Sequence, residues 1–174
     1  ERERTAAALG QSELRFRKVF EEGPFGMALV APDFTFSRVN QAFCRLLGYT
    51  ADELQTLTFP DITHPADVEK DGALARQLFA GEIPFYQIEK RYLTKSGDAV
   101  WINLTAALFR DKAQQPTFGL AMIEDITGQR QAKQALNRRV EELSGLHDIA
   151  QTLAVGPDLT RALQEVCQAV TSLF

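Results

Sequence analysis

The segment Val100 to Phe109 is apolar on both faces, with Ile102, Leu104, Ala106 and Leu108 to one side and Trp101 and Phe109 to the other. A strand in a sheet with one solvated face should alternate cleanly between apolar and polar residues. This run therefore calls for a sheet whose second face is also covered, either by an N-terminal helix or by a second subunit. Its neighbours supply the sheet. Phe85 to Leu93 alternates Tyr86, Ile88 and Tyr92 against Gln87, Glu89 and Arg91, and Thr117 to Ile123 is short and rich in β-formers. Lys95-Ser96-Gly97-Asp98 makes a hairpin turn between the first two strands, and residues 110–116 loop to the third.

The third strand runs into a helix at Ile123-Glu124-Asp125-Ile126-Thr127. Downstream, Gln129 to Leu143 contains neither Gly nor Pro and is built from strong helix formers. Thr127 is the expected N-cap, and Asp125 brings negative charge to the positive end of the helix. A rigid joint from sheet to helix is a device for passing strain along the chain.

The first 22 residues read as an amphipathic helix carrying Leu9, Phe16, Val19 and Phe20, stopped by Gly23-Pro24. Phe25 to Ala31 and Phe34 to Val39 read as a hairpin around Pro32-Asp33. Three short helices follow. Asn40 caps the first, which ends at Gly48; Thr50 and Glu53 form a capping box for the second; and His64-Pro65 opens the third, which ends near Gly81. The net charge of -4 argues against a nucleic-acid binder, and no run approaches the ~20 apolar residues of a membrane helix. Cys44 and Cys167 are far apart with no partner spacing, which fits a reducing, cytoplasmic compartment and no structural zinc.

Two strands, several short helices, three strands and an exit helix, together with their residues, resemble a PAS (Per-Arnt-Sim) sensor domain of the S-box type over residues 14–127. The resemblance rests on Val39-Asn40-Gln41-Ala42-Phe43, Leu47-Gly48-Tyr49-Thr50 with Glu53-Leu54, His64-Pro65-Ala66-Asp67, Lys95-Ser96-Gly97-Asp98 with Trp101, and Asp125-Ile126-Thr127. It implies an α+β fold: a five-stranded antiparallel sheet with short helices on one face and a pocket between. It also implies a sensor or dimerisation module whose Asp-Ile-Thr end hands over to a signalling helix. Leu143 to Phe174 resembles the opening helices of a GAF domain without the rest of that fold. The expected division is an N-terminal helix over 1–22, the PAS domain over 23–127, a signalling coiled-coil helix over 128–154, and a terminal helix over 155–174 that begins a truncated GAF-like domain.

Several residues invite a chemical reading. His147-Asp148 resembles the phosphoacceptor hairpin of histidine kinases, but Gln151 stands four residues after the histidine instead of five, and no Arg-Thr-Pro follows. The plainer reading is a linker histidine. Haem-binding PAS domains take their ligand from further along the helix that His64 opens, and residues 66–80 hold no histidine. The Asn-Cys-Arg-Phe-Leu motif of flavin photosensors is absent around Cys44, which reads as a small core residue. With two histidines in all and no phosphate loop or catalytic triad, an enzyme is not expected.

The expected pocket is lined by Leu29, Phe43, Leu47, Ile62, Leu74, Ile88, Ile102, Leu104 and Met122, which are also core candidates. It suits a small apolar ligand or none. Asp125 and Thr127 form the signal joint. Leu136, Val140 and Leu143 are spaced as a coiled-coil seam, and Leu146 and Leu153 fit a register shifted by three, a stammer. The expected partners are a second copy through these helices and an output domain in a longer parent protein. The alternatives are a ligand-free interaction domain or a kinase fragment with His147 as phosphoacceptor. No cofactor is expected, so fresh protein should show neither a haem Soret band nor a flavin spectrum.

Overall fold

The computed structural model describes residues 2–111, 113 and 115–154, with side chains described over 11, 13–111, 113 and 115–147. The chain divides into two units, Glu1–Gly128 and Gln129–Phe174. In the first, helix α1 (Arg2–Glu22) leads to strands β1 (Gly26–Val30) and β2 (Phe36–Val39). Four helices follow: α2 (Gln41–Leu47), α3 (Ala51–Gln55), α4 (Phe59–Ile62) and α5 (Pro65–Ala80). Strands β3 (Phe85–Leu93), β4 (Ala99–Arg110) and β5 (Pro116–Asp125) complete the sheet, and helix α6 (Thr127–Ala154) leaves it. The terminal helix and the GAF-like opening expected over 155–174 lie outside the described residues.

The five strands are antiparallel in the order β2-β1-β5-β4-β3. The first and last strands of the chain are therefore neighbours, with Gly26 opposite Ile123. The core lies between the sheet and the helices. Phe43, Leu47, Leu54 and Ile62 come down from the helices onto Ala28, Ile88, Ile102, Leu104 and Ile123 of the sheet. Gly26 belongs here because a Cβ would meet the Phe43 backbone at 3.3 Å.

The caps follow the sequence. Asn40 accepts the Phe43 N–H, Thr50 and Glu53 form a reciprocal capping box, and Gly48 and Gly81 close their helices in the left-handed conformation. Helix α4 was missed because it is one turn long. Its signal is Thr58-Phe59-Pro60-Asp61, where the Asp61 carboxylate accepts from both the backbone N–H and the hydroxyl of Thr58. Among the described residues Phe34 is the one non-glycine with positive φ, at 72°. For a bulky side chain that is a strained conformation. It is held by the Phe34 N–H to Ala31, the Phe59 N–H to Phe34, and ring contact with Phe59 at 4.9 Å.

The N-terminal helix, one of the two covers expected for the outer sheet face, packs otherwise. Among the described side chains of the N-terminal stripe Phe20 is buried and Phe16 and Val19 are exposed, while the Leu9 side chain lies outside those described. The last turn of α1 is tied to β2 by an Arg38–Glu21 ion pair and by Arg38 over the Phe20 ring. On the outer sheet face Phe85, Phe109 and Met122 remain exposed, so α1 does not supply the cover there.

Asn40 is the tightest knot in this unit. Its carboxamide accepts from Met27 N and Phe43 N and donates to the carbonyls of Phe20 and Phe25, all within 2.9 Å. Asn40→Ala removes a cap and strands several backbone groups, so it should destabilise the protein by ~3 kcal/mol or more. Urea denaturation monitored by circular dichroism measures this, and a loss below ~1 kcal/mol would show that these bonds carry little weight.

Candidate functional site

The inward face of β3 runs Tyr86, Ile88, Lys90, Tyr92, and all four are buried. Lys90 therefore places an ammonium inside an apolar core. Burying an unpaired charge is prohibitive, so it must find a counter-ion. Asp71 supplies it from α5, at the helical position that also aligns Ala75 and Leu78 toward the sheet. Both side chains are fully buried. Lys90 also donates to Thr63 Oγ1 at 3.2 Å and lies 4.1 Å above the Tyr92 ring. The Tyr86 hydroxyl donates to the second Asp71 oxygen at 3.0 Å. Burial pulls the Lys90 ammonium down to about 8, against the opposing pull of Asp71. Burial pushes the Tyr86 and Tyr92 phenols up.

Beside this cluster lies a cavity of ≈ 30 Å³ between α5 and the sheet. Tyr86 and Tyr92 are common to both, and the other walls include Val30, Phe59, Leu78 and Leu104. The Phe79 ring lies over Gly119, its nearest carbon 3.4 Å from where a Cβ would stand.

Of the nine expected pocket residues, only Leu104 lines this cavity. Phe43, Leu47, Ile62, Ile88 and Ile102 fill the core, and Leu74 packs against it half-buried. Leu29 and Met122 are corrections. The inward residues of β1 are Gly26, Ala28 and Val30, which sends Leu29 to the opposite face. Met122 pairs with Thr105 and Met27 on that outer face and is 37% exposed. Both were misassigned because β1 and β5 are apolar on both faces, so residue type does not report direction. The missed residues, Asp71 and Lys90, had a signal. Each is a charge at a position whose periodicity points inward.

A second feature sits at the end of β5. Ile126 N donates to Trp101 O at 2.9 Å, and Trp101 N donates to Thr127 Oγ1 at 3.0 Å. The first helical residue thus extends the β4 ladder by one side chain. Thr127 is therefore not the N-cap, because its hydroxyl is taken by the sheet. Asp125, two residues before it, accepts the Thr127 N–H at 2.8 Å. On the other side of Trp101, the Arg91 guanidinium lies 5.1 Å from the indole and forks onto Asp67 at the start of α5. That fork holds the Asp67 carboxyl below its usual range.

Other candidates settle simply. His64 Nδ1 accepts the Ala66 N–H and caps α5. Cys44 is half-buried against the core, and burial raises its thiol, the opposite of an activated nucleophile. His147 is exposed on α6, as are Leu136, Val140, Leu143 and Leu146, while the Leu153 side chain is outside those described. Among the described residues no group of His, Cys, Asp and Glu could hold a metal, and no helix is long and apolar enough to cross a membrane.

The fold is an α+β domain: a five-stranded antiparallel sheet with helices over one face and an interior cavity. The PAS fold family model matches residues 36–122, half of the sequence, and the chain belongs to that family. It is 37% identical over 136 residues to Probable diguanylate cyclase DgcE of Escherichia coli, covering 78% of this chain and 12% of that protein. It is 29% identical over 168 residues to the sensor histidine kinase TmoS of Ectopseudomonas mendocina, covering 96% of this chain and 17% of that protein. The chain thus spans less than a fifth of either relative. Among solved structures, a PAS domain from Colwellia psychrerythraea superposes with a TM-score of 0.61 at 18% identity, covering 66% of this chain and 96% of that one. The PAS fold is a non-catalytic sensor fold, and these relatives are signalling proteins.

The buried pair makes two predictions. Lys90→Met leaves Asp71 uncompensated and should cost ~3–5 kcal/mol at pH 7, whereas Lys90→Met with Asp71→Asn should recover most of that. A lysine whose folded value is about 8 and whose ordinary value is 10.5 binds fewer protons folded than unfolded in that interval. Stability should therefore rise with pH from about 8 until the phenols, ordinarily at 10.0 and raised in the fold, begin to oppose it. Denaturation midpoints across pH 7 to 10 test this, and a wild-type slope that persists in the double variant assigns it elsewhere.

Proposed function

We propose that this chain is a non-catalytic sensory and dimerisation module of a larger signalling protein. In this reading a change in the packing of the interior passes through the Asp125-Ile126-Thr127 joint to α6. The observation that carries it is the bond between Trp101 N and the Thr127 hydroxyl, which ties the first turn of the exit helix into a central strand. Asp71 reaches that strand's neighbour β3 from the cavity side, and the Asp67–Arg91 fork meets Trp101 from the same helix.

The helix would act as a pair. Leu136, Val140, Leu143 and Leu146 are all exposed, as a seam awaiting a partner would be. Two chains would align in parallel along 130–153, with the packing changing near Leu143 to Leu146 and Leu153 continuing the second register. The proposed division is an N-terminal helix over 1–22, the sensor over 23–127, the signalling helix over 128–154 and a GAF-like start over 155–174. Its setting is cytoplasmic, upstream of an output domain such as the relatives carry.

Asp125→Ala should speed hydrogen exchange across 127–140 while leaving the sheet protected. Unchanged exchange there would sink the joint. Wild type should sediment as a dimer at tens of micromolar, and Val140→Glu with Leu143→Glu as a monomer. A monomeric wild type or a dimeric double variant excludes this seam.

A further inference from the structure

We propose that the outer face of the sheet carries an external binding site, a groove beside the joint that takes a small organic cation, a primary ammonium on a short alkyl stem. The site does not depend on the sensory reading above.

The strand register builds the groove. Across β1, β5 and β4 the outward residues form two rows. Met27, Met122 and Thr105 make one, and Glu124 stands opposite Asn103 in the next. Phe25 closes that second row, one step beyond the pair of Gly26 with Ile123. Phe25, Met122, Glu124, Asn103 and Thr105 line a groove of ≈ 70 Å³ on the face of the sheet away from the interior cavity. Its β1 side is fixed in place. Asn40 holds the Phe25 carbonyl and both backbone groups of Met27, all within 2.9 Å. Because Met27 makes its backbone bonds to Asn40, it meets Met122 as a non-hydrogen-bonded pair, the kind whose side chains stand closest.

The lining sets the ligand class. Glu124 is the one charged residue in it, and among the described residues Glu124 has no ion-pair or hydrogen-bond partner. No lysine or arginine lines the groove, so an anion would meet Glu124 with nothing to offset it. A cation gains there. The Phe25 ring adds a face that attracts cations, and Thr105 and Asn103 bring oxygen acceptors. Gln87 Nε2 donates to Asn103 Oδ1 at 3.0 Å and so orients that carboxamide. One carboxylate is too few for a calcium-like ion, which takes six or more oxygen ligands.

The walls set the stem. Phe25 and Met122 are both exposed and give an apolar surface beside the carboxylate. A volume of ≈ 70 Å³ corresponds to roughly five water-sized positions, enough for an ammonium on a stem of about four carbons. The net charge of -4 adds attraction at a distance.

The test is a nitrogen-proton correlation titration of the full chain at neutral pH with butylammonium, butyrate and 1-butanol, which match in length and differ in charge. Butylammonium should shift the amides of Asn103, Thr105, Met122 and Glu124 saturably, with Kd in the millimolar range. At these amides butyrate should bind at least tenfold more weakly and 1-butanol at least threefold. Glu124→Gln should weaken butylammonium ~3- to 5-fold, the scale of an exposed ion pair. Phe25→Leu, which keeps the apolar wall and removes the ring, should weaken it ~2- to 5-fold. Added salt should weaken butylammonium and leave 1-butanol unchanged. Butyrate or 1-butanol binding as tightly as butylammonium overturns the cation class. Butylammonium shifts that persist at full affinity in both variants overturn the site, as does the lack of any saturable shift at these amides in wild type.

Discussion

A lysine ammonium and an aspartate carboxylate, both sealed from water, fix how this domain packs. Neither can be exposed without moving α5 off the sheet, and neither can stay buried if the other leaves. The pair therefore sets the register of α5 over β3 more strictly than apolar contacts would. Apolar contact is not directional, so Leu78 and Ala75 alone would hold the helix less strictly. Buried charge pairs are poor sources of net stability, since desolvation offsets much of the attraction. This one joins α5 to β3 beside Tyr86, whose hydroxyl it also holds.

The same helix connects outward. Its first turn carries Asp67, which forks onto Arg91, and Arg91 lies against the indole whose backbone holds Thr127. Asp71 sits one turn further along, against the interior. One helix thus carries, a turn apart, one side chain in the core and another that reaches the exit of the sheet through Arg91. Side chains of fixed geometry join the two, and no mobile loop intervenes.

The order of elements was legible because its signals are local. Asn40, Thr50 with Glu53, His64-Pro65 and Gly81 mark helix ends by hydrogen bonds within three or four residues, and those marks hold in the structure. The β3 segment was bounded correctly at Phe85 and Leu93 for the same reason. Direction was harder. Leu29 and Met122 lie on strands apolar on both faces, and in β1 it is Gly26, Ala28 and Val30 that face inward. The cavity could not be read at all, since it is the space that distant segments fail to fill. Lys90 was the lost opportunity. It follows Tyr86 and Ile88 at strand spacing, and treating it as the exception in that row would have led to a search for its acid.

The strand order carries one more consequence. Because β1 and β5 are central neighbours and antiparallel, the chain enters the sheet at Gly26 directly opposite the residue, Ile123, from which it is about to leave. A body whose inlet and outlet adjoin can be spliced between two stretches of another chain without threading, and lifted out again without leaving a gap. That portability fits a unit occupying 12% of a cyclase relative and 17% of a kinase relative. What must be preserved in each transplant is small: the seam between β1 and β5, and the few atoms at which the outgoing helix is fastened to Trp101.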